Sequence, residues 1–168
     1  MSEKNYKEKL RSVKCFVFDV DGVLTNGSLI LVPGGEQARV MNIRDGYAIQ
    51  HAVKSGYYVL ILSGGKSEDV RTRLKGLGVT DIQLGCENKL DALKKFISEN
   101  NLQQEQILYM GDDIPDLYAM KIAGIACCPS DAALEIKNIC HFISSFKGGE
   151  GCVRQVIEQT LKIQGKWM

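Results

Sequence analysis

The chain has 168 residues, with 21 lysines and arginines against 20 aspartates and glutamates and a formal net charge of +1. That balance leaves no global field to draw in nucleic acid or an anionic membrane, so any function must be carried by a local site. The length suits a single compact domain, residues 1–168, large enough to bury a core without staples.

The opening stretch, Met1 to Ser12, is polar and charged rather than signal-like, and no apolar run reaches bilayer-spanning length, so a cytoplasmic protein is expected. Cys15-Phe-Val-Phe18 is an apolar, aromatic and β-branched run that stops abruptly at Asp19-Val-Asp-Gly22. It reads as a buried strand delivering carboxylates at its tip. Leu29–Val32 and Ala38–Met41 flank the turn Pro33-Gly-Gly35 and predict a projecting β-hairpin. Tyr58–Leu62 predicts a second buried strand, ending in Ser63-Gly-Gly65. Val70, Leu74 and Leu77 then step at helical spacing, as do Leu90, Leu93 and Ile97 beyond Asn88-Lys89. Ile107–Met110 predicts a strand running into Gly111-Asp-Asp113 and Asp116, and Gly124–Cys127 predicts another. Val153, Val156, Ile157 and Leu161 give a last amphipathic helix. Strands alternating with helices predict an α/β fold, a Rossmann-like parallel sheet with helices on both faces and a projecting hairpin. The six cysteines contain no C-x-x-C pair, and Cys127 and Cys128 are adjacent, so reduced core thiols are expected rather than a zinc cage.

In a parallel sheet the strand ends share one edge, so Asp19, Asp21, Ser63, Asp112, Asp113 and Asp116 are expected to converge, with Lys89 at a helix start nearby. Carboxylates crowded in this way repel one another unless a cation lies among them, and an all-oxygen set favours Mg²⁺ over zinc or copper. Competing motifs fail. Asp19-Val-Asp-Gly22 lacks the remaining ligands of a calcium loop, and Gly65-Lys-Ser67 lacks the first glycine of a nucleotide P-loop, where Leu60 stands instead.

Asp19-Val-Asp-Gly-Val-Leu-Thr25, Ser63, Lys89 and Gly111-Asp-Asp113 with Asp116 resemble the four motifs of the haloacid dehalogenase superfamily. Within it, Asn42-Ile-Arg-Asp-Gly-Tyr-Ala-Ile49 and Gly148-Gly-Glu-Gly151 resemble the 3-deoxy-D-manno-octulosonate 8-phosphate phosphatases, enzymes of lipopolysaccharide synthesis. The resemblance implies that Asp19 attacks phosphorus and that Asp21 protonates the leaving group. It implies Mg²⁺ held by Asp19, the main-chain carbonyl of Asp21 and Asp112, with Asp113 or Asp116 in support. Ser63, the Gly64 amide and Lys89 would bind phosphate, and Asp21, Asn42, Ile43, Arg44, Asp45, Gly46, Arg73 and Lys89 would lie near a small sugar-acid phosphate. No large cap domain fits between the motifs. The family's pattern therefore implies a homotetramer joined through hairpins, with shared active sites in which the Gly148–Gly151 tail reaches a neighbour's pocket. One departure stands out: the family commonly has arginine where this chain has Gly65, which leaves an eight-carbon and a nine-carbon sugar-acid substrate undistinguished. Other functional classes are an open-site protein phosphatase and a non-catalytic binding domain. A dehalogenase is disfavoured by Asp21, the proton-transfer group that phosphatases need.

Overall fold

A computed structural model describes residues 3–168, with side chains from Tyr6 onward. The N-terminal helix α1 (Glu3–Lys9) is followed by β1 (Cys15–Phe18), whose four residues are all buried. A fully apolar run of this kind is what a strand covered on both faces requires. β1 pairs in parallel with β4 (Tyr58–Leu62) on one side and with β6 (Ile107–Met110) on the other. Beyond them lie β5 (Asp81–Gln83), β7 (Ile125–Cys128) and the short β8 (Phe142–Ile143), giving the order β5-β4-β1-β6-β7-β8 with every pairing parallel.

Side chains of β1 alternate between two cores. Phe16 and Phe18 join the cluster built with α2 (Ile43–Lys54), α3 (Glu68–Gly76) and α7 (Cys152–Ile163). Cys15 and Val17 join the cluster under α4 (Lys89–Glu99), α5 (Leu117–Ile122) and α6 (Leu134–Lys137). The expected parallel sheet with helices on both faces is thus observed. Two details differ. The buried face of α4 runs through Lys89, Leu93 and Phe96, because the lysine itself turns inward to meet carboxylates. The hairpin is also shorter than its apolar pattern, with only Ile30–Leu31 (β2) paired to Gln37–Ala38 (β3). Its apolar side chains stay in solvent, with Leu31 78% and Val40 66% exposed.

No helix among the described residues is long and apolar enough to cross a membrane. All six cysteines are free, four of them buried.

Candidate active site

Three adjacent strands end at one place. β1 delivers Asp19, β4 delivers Ser63, and β6 delivers Gly111 and Asp112, because β1 sits between the other two. After Asp19 the chain makes a tight turn over Val20–Leu24, in which Gly22 has φ +90°. A β-carbon on Gly22 would collide with the Asp112 carboxylate, so a bare glycine is what lets the two loops touch. Thr25, fully buried, receives the Gly22 and Gly27 amides on its hydroxyl at 3.3 and 3.2 Å and holds the turn closed.

Lys89 is the hub. Its Nζ lies 2.8 Å from Asp19 Oδ2 and 2.7 Å from Asp116 Oδ1. Asp116 is fully buried; its Oδ1 also accepts from the Tyr109 hydroxyl at 2.8 Å and its Oδ2 accepts from the Asp112 amide at 3.2 Å. Asp116 is therefore consumed in organising Lys89 and the Asp112 loop. Asp113, by contrast, is exposed and accepts from the Ile114 amide at 2.8 Å, capping a short turn. Between the two candidates for support of the metal site, only Asp116 joins the cluster: one oxygen from each of Asp19, Asp112 and Asp116 lies within 4.8 Å of the others.

One lysine among three carboxylates leaves excess negative charge. Burial, reinforced by Asp116, pushes Asp19 up to about 7 despite Lys89 and the Val20 amide. Burial, then Asp116 and Asp113, pushes Asp112 up to about 7 as well. Burial pulls Lys89 down, but Asp116 and Asp19 more than offset it and leave its pKa raised. Asp112 Oδ1 is buried without a hydrogen-bond partner. A buried orphan oxygen beside two further carboxylates fits a small hard divalent cation, which would neutralise the excess charge and satisfy the orphan.

That charge pattern has a testable consequence. In the metal-free protein Asp19 and Asp112 have folded-state values above the ordinary 3.8. The folded state thus binds more protons than the unfolded one between about pH 4 and pH 7, and the stability these groups contribute is lost as pH rises through that window. Mg²⁺ requires them ionised, so its stabilising effect should grow over the same window. Urea midpoints in Mg²⁺ and in EDTA at about pH 5 and about pH 7.5 should diverge more at the higher value; an unchanged gap would contradict the assignment.

The phosphate motifs are also in place. Ser63 is 2% exposed and its Oγ accepts from the Gly65 amide at 3.2 Å, fixing the turn after β4, while a β-carbon on Gly64 would meet nothing within 4 Å. The residues expected near a substrate are less uniform. Asn42 caps α2, accepting from the Arg44 and Asp45 amides at 2.8 and 3.3 Å, and donates to the Gly149 carbonyl at 3.1 Å. Ile43 is 79% exposed and Arg44 is exposed too. Gly46 makes room for Arg73, whose Nη2 would stand 2.6 Å from a β-carbon there. Asp45 is 1% exposed and accepts the Arg154 amide at 2.7 Å. Its carboxylate caps the start of α7, where four amides lack helical partners.

The Gly148–Gly151 segment packs on the turn that follows Asp19 in its own chain. The Gly149 amide donates to the Val23 carbonyl at 2.9 Å, and the Gly148 amide donates to Asp131 Oδ1 at 3.0 Å. A β-carbon on Gly148 would overlap the Gly22 carbonyl oxygen. Gly148→Ala should therefore displace the Asp19–Thr25 turn and reduce turnover by about a hundredfold, since small misplacements at a reacting centre have effects of that size. A variant with native turnover would show that the turn tolerates the shift.

Arg39, Tyr109 and Asp131 join the site through contacts made only on folding. Of the three, Tyr109 alone carries a sequence signal, since a hydroxyl inside an apolar central strand must find a partner.

The haloacid dehalogenase-like hydrolase family model matches residues 81–156. The 3-deoxy-D-manno-octulosonate 8-phosphate phosphatase of Escherichia coli is 33% identical over 158 residues, covering 94% of this chain and 84% of that one. The chain belongs to the haloacid dehalogenase-like hydrolases. Its activity class is phosphoric monoester hydrolysis. Among solved structures, a probable yrbi family phosphatase from Pseudomonas syringae pv. phaseolica is 36% identical with a TM-score of 0.94, covering 98% of this chain and 93% of that one. The 3-deoxy-D-manno-octulosonate 8-phosphate phosphatase of Moraxella catarrhalis, in complex with magnesium ion, phosphate ion and KDO, is 31% identical with a TM-score of 0.95, covering 99% and 95%. The fold of this hydrolase, including its lack of an inserted cap domain, is shared with these relatives across nearly its whole length.

Proposed function

We propose that this protein hydrolyses a sugar-acid phosphate, 3-deoxy-D-manno-octulosonate 8-phosphate, to the free sugar acid and phosphate, as a step in lipopolysaccharide precursor synthesis in the cytoplasm. The observation that carries the reading is the 33% identity, over 94% of the chain, to a phosphatase of that substrate, together with an intact set of motif residues at the strand tips. Mg²⁺ is the cofactor, held by Asp19, Asp112 and the Asp21 main-chain carbonyl; it supplies charge neutralisation for the phosphoryl group.

Asp19 acts as the nucleophile, its carboxylate oriented by the Val20 amide at 2.6 Å and Lys89 at 2.8 Å. Attack on phosphorus gives an aspartyl-phosphate and releases the alcohol. Asp21, two residues on and 37% exposed at its side chain, protonates the departing oxygen and then takes a proton from the attacking water. Ser63, the Gly64 amide and Lys89 hold the phosphoryl oxygens, where charge spreads in the transition state. Asp116 and Tyr109 act behind them by fixing Lys89.

The assembly is proposed as a homotetramer through the hairpins. Support comes from the exposed apolar residues Ile30, Leu31, Val32 and Val40 on a two-residue ladder that cannot bury them alone. Sedimentation of the purified protein should show a species near four subunits.

The decisive assay measures phosphate release in Mg²⁺ from the eight-carbon and nine-carbon sugar-acid phosphates and from phosphoserine peptides. The eight-carbon ester should have the highest kcat/KM. Preference for the nine-carbon ester would move the assignment to that relative, and preference for peptides would overturn the small-molecule reading.

A further inference from the structure

Arg39 has no part in the steps above, yet it engages the acid–base carboxylate directly. Its Nε donates to Asp21 Oδ1 at 2.6 Å and its Nη2 donates to Asp21 Oδ2 at 3.2 Å, so one guanidinium occupies both oxygens. Nη1 donates to the Gln37 carbonyl at 3.0 Å, bracing the fork from the hairpin itself. The Arg39 side chain is only 7% exposed although it comes from an otherwise solvated hairpin. Glycine at position 65 leaves this seat open. A β-carbon there would stand 3.2 Å from Arg39 Nη2 and 3.2 Å from Asp21 Oδ2, close enough that the pair would have to shift.

Beside this pair opens a cleft of ≈ 580 Å³ between the hairpin and the start of α3, lined by Glu36, Arg39, Gly65, Lys66, Glu68 and Asp69 among others. Glu68 is paired with Arg71 at 3.1 Å. Lys66 and Arg39 are the cations of the cleft, set against Glu36 and Asp69, and Lys66 enters it close to the phosphate-side turn, since Gly65 and Lys66 follow Ser63 and Gly64 in the chain.

A leaving-group oxygen has to approach the carboxylate that Arg39 clasps. A bidentate guanidinium–carboxylate pair is among the stronger polar contacts, so opening it is unfavourable unless the guanidinium gains another anion. We propose that Arg39 is a specificity-determining latch: seated over Gly65 and clasped to Asp21, it obstructs esters with an uncharged leaving group and yields to those carrying a carboxylate that receives it at the hairpin cleft. The identity of the favoured ester rests on the sugar-acid reading above; the obstruction rests on the geometry of Arg39, Asp21 and Gly65.

The test compares wild type, Arg39→Ala and Arg39→Lys on the eight-carbon sugar-acid phosphate and on 4-nitrophenyl phosphate, at saturating Mg²⁺, after circular dichroism has shown the folds to match. In Arg39→Ala, kcat/KM for the aryl ester should rise about tenfold while that for the sugar-acid ester falls roughly tenfold to hundredfold, chiefly through KM, the range expected when a contact to a charged group is lost. Arg39→Lys should recover part of the sugar-acid activity, because it keeps the charge without the fork. A parallel fall on both esters, or no change on either, overturns the latch. If wild type leaves the sugar-acid phosphate intact while Arg39→Ala still speeds the aryl ester, the sugar-acid reading fails and the obstruction stands.

Discussion

Asp19→Asn should hydrolyse no detectable phosphate ester while keeping the native fold. The substitution preserves size at a position 8% exposed but removes the attacking anion and one of the three clustered carboxylates. Uncatalysed monoester hydrolysis is so slow that accelerations of up to ~10²¹ are known, so no alternative route can substitute for the nucleophile. Asparagine also removes the buried charge whose desolvation, reinforced by Asp116, raises Asp19 to about 7, so the metal-free variant should be at least as stable as wild type near neutral pH. Measured turnover in Mg²⁺ above the level of an equally purified blank would exclude a covalent intermediate on this residue.

Lys89→Met should be severe for both activity and folding. The side chain is 4% exposed and its ammonium is the cation shared by Asp19 and Asp116, with Asp116 sealed from solvent. Removing one partner of a buried charge pair costs about 3–5 kcal/mol when the other stays ionised. Protonation of a carboxyl can reduce that cost, and the loss of stability should accordingly be smaller at about pH 5 than at about pH 7.5. Turnover should fall by a factor of at least ~10³, because the phosphoryl group loses a preorganised positive donor and Asp19 loses its orienting partner. A variant with wild-type stability across that pH range would show that Lys89 is not what makes burial of these carboxylates tolerable. A variant with substantial turnover would remove Lys89 from the phosphate cradle.

The main outlines were legible because they depend on local pattern. An unbroken apolar run such as Cys15–Phe18 followed at once by Asp19 and Asp21 can be read without partners, and the repeated arrangement at Ser63 and Asp112 predicted a common edge. The α4 face was misread by one phase because Lys89, hydrophilic by type, is buried by charge rather than by apolarity. Arg39 looked like one more alternating residue of a hairpin; its meeting with Asp21 depends on how the hairpin folds back. The contact of Asp45 with the start of α7 was not legible, because helical rotation turns it inward while Arg44 beside it is exposed. Gly148 and Gly149 carried meaning in the sequence only through the resemblance, and it is the packed structure that shows them against Val23–Thr25 of the same chain.

The seat that Gly148 and Gly149 provide joins the last part of the polypeptide to the first motif. During synthesis Asp19 emerges early, but the turn that shapes it is completed by residues more than a hundred positions downstream, through the Gly149 amide on Val23 and the Cys152 thiol on the same carbonyl at 3.3 Å. A ribosome-bound chain that has exposed every phosphatase motif through Asp116 still lacks that brace, and a transcript truncated before Gly148 encodes a nucleophile without its mould. Shaping of the turn after Asp19 thus waits for a segment translated long after Asp19 itself, and a fragment that stops short of Gly148 lacks that brace.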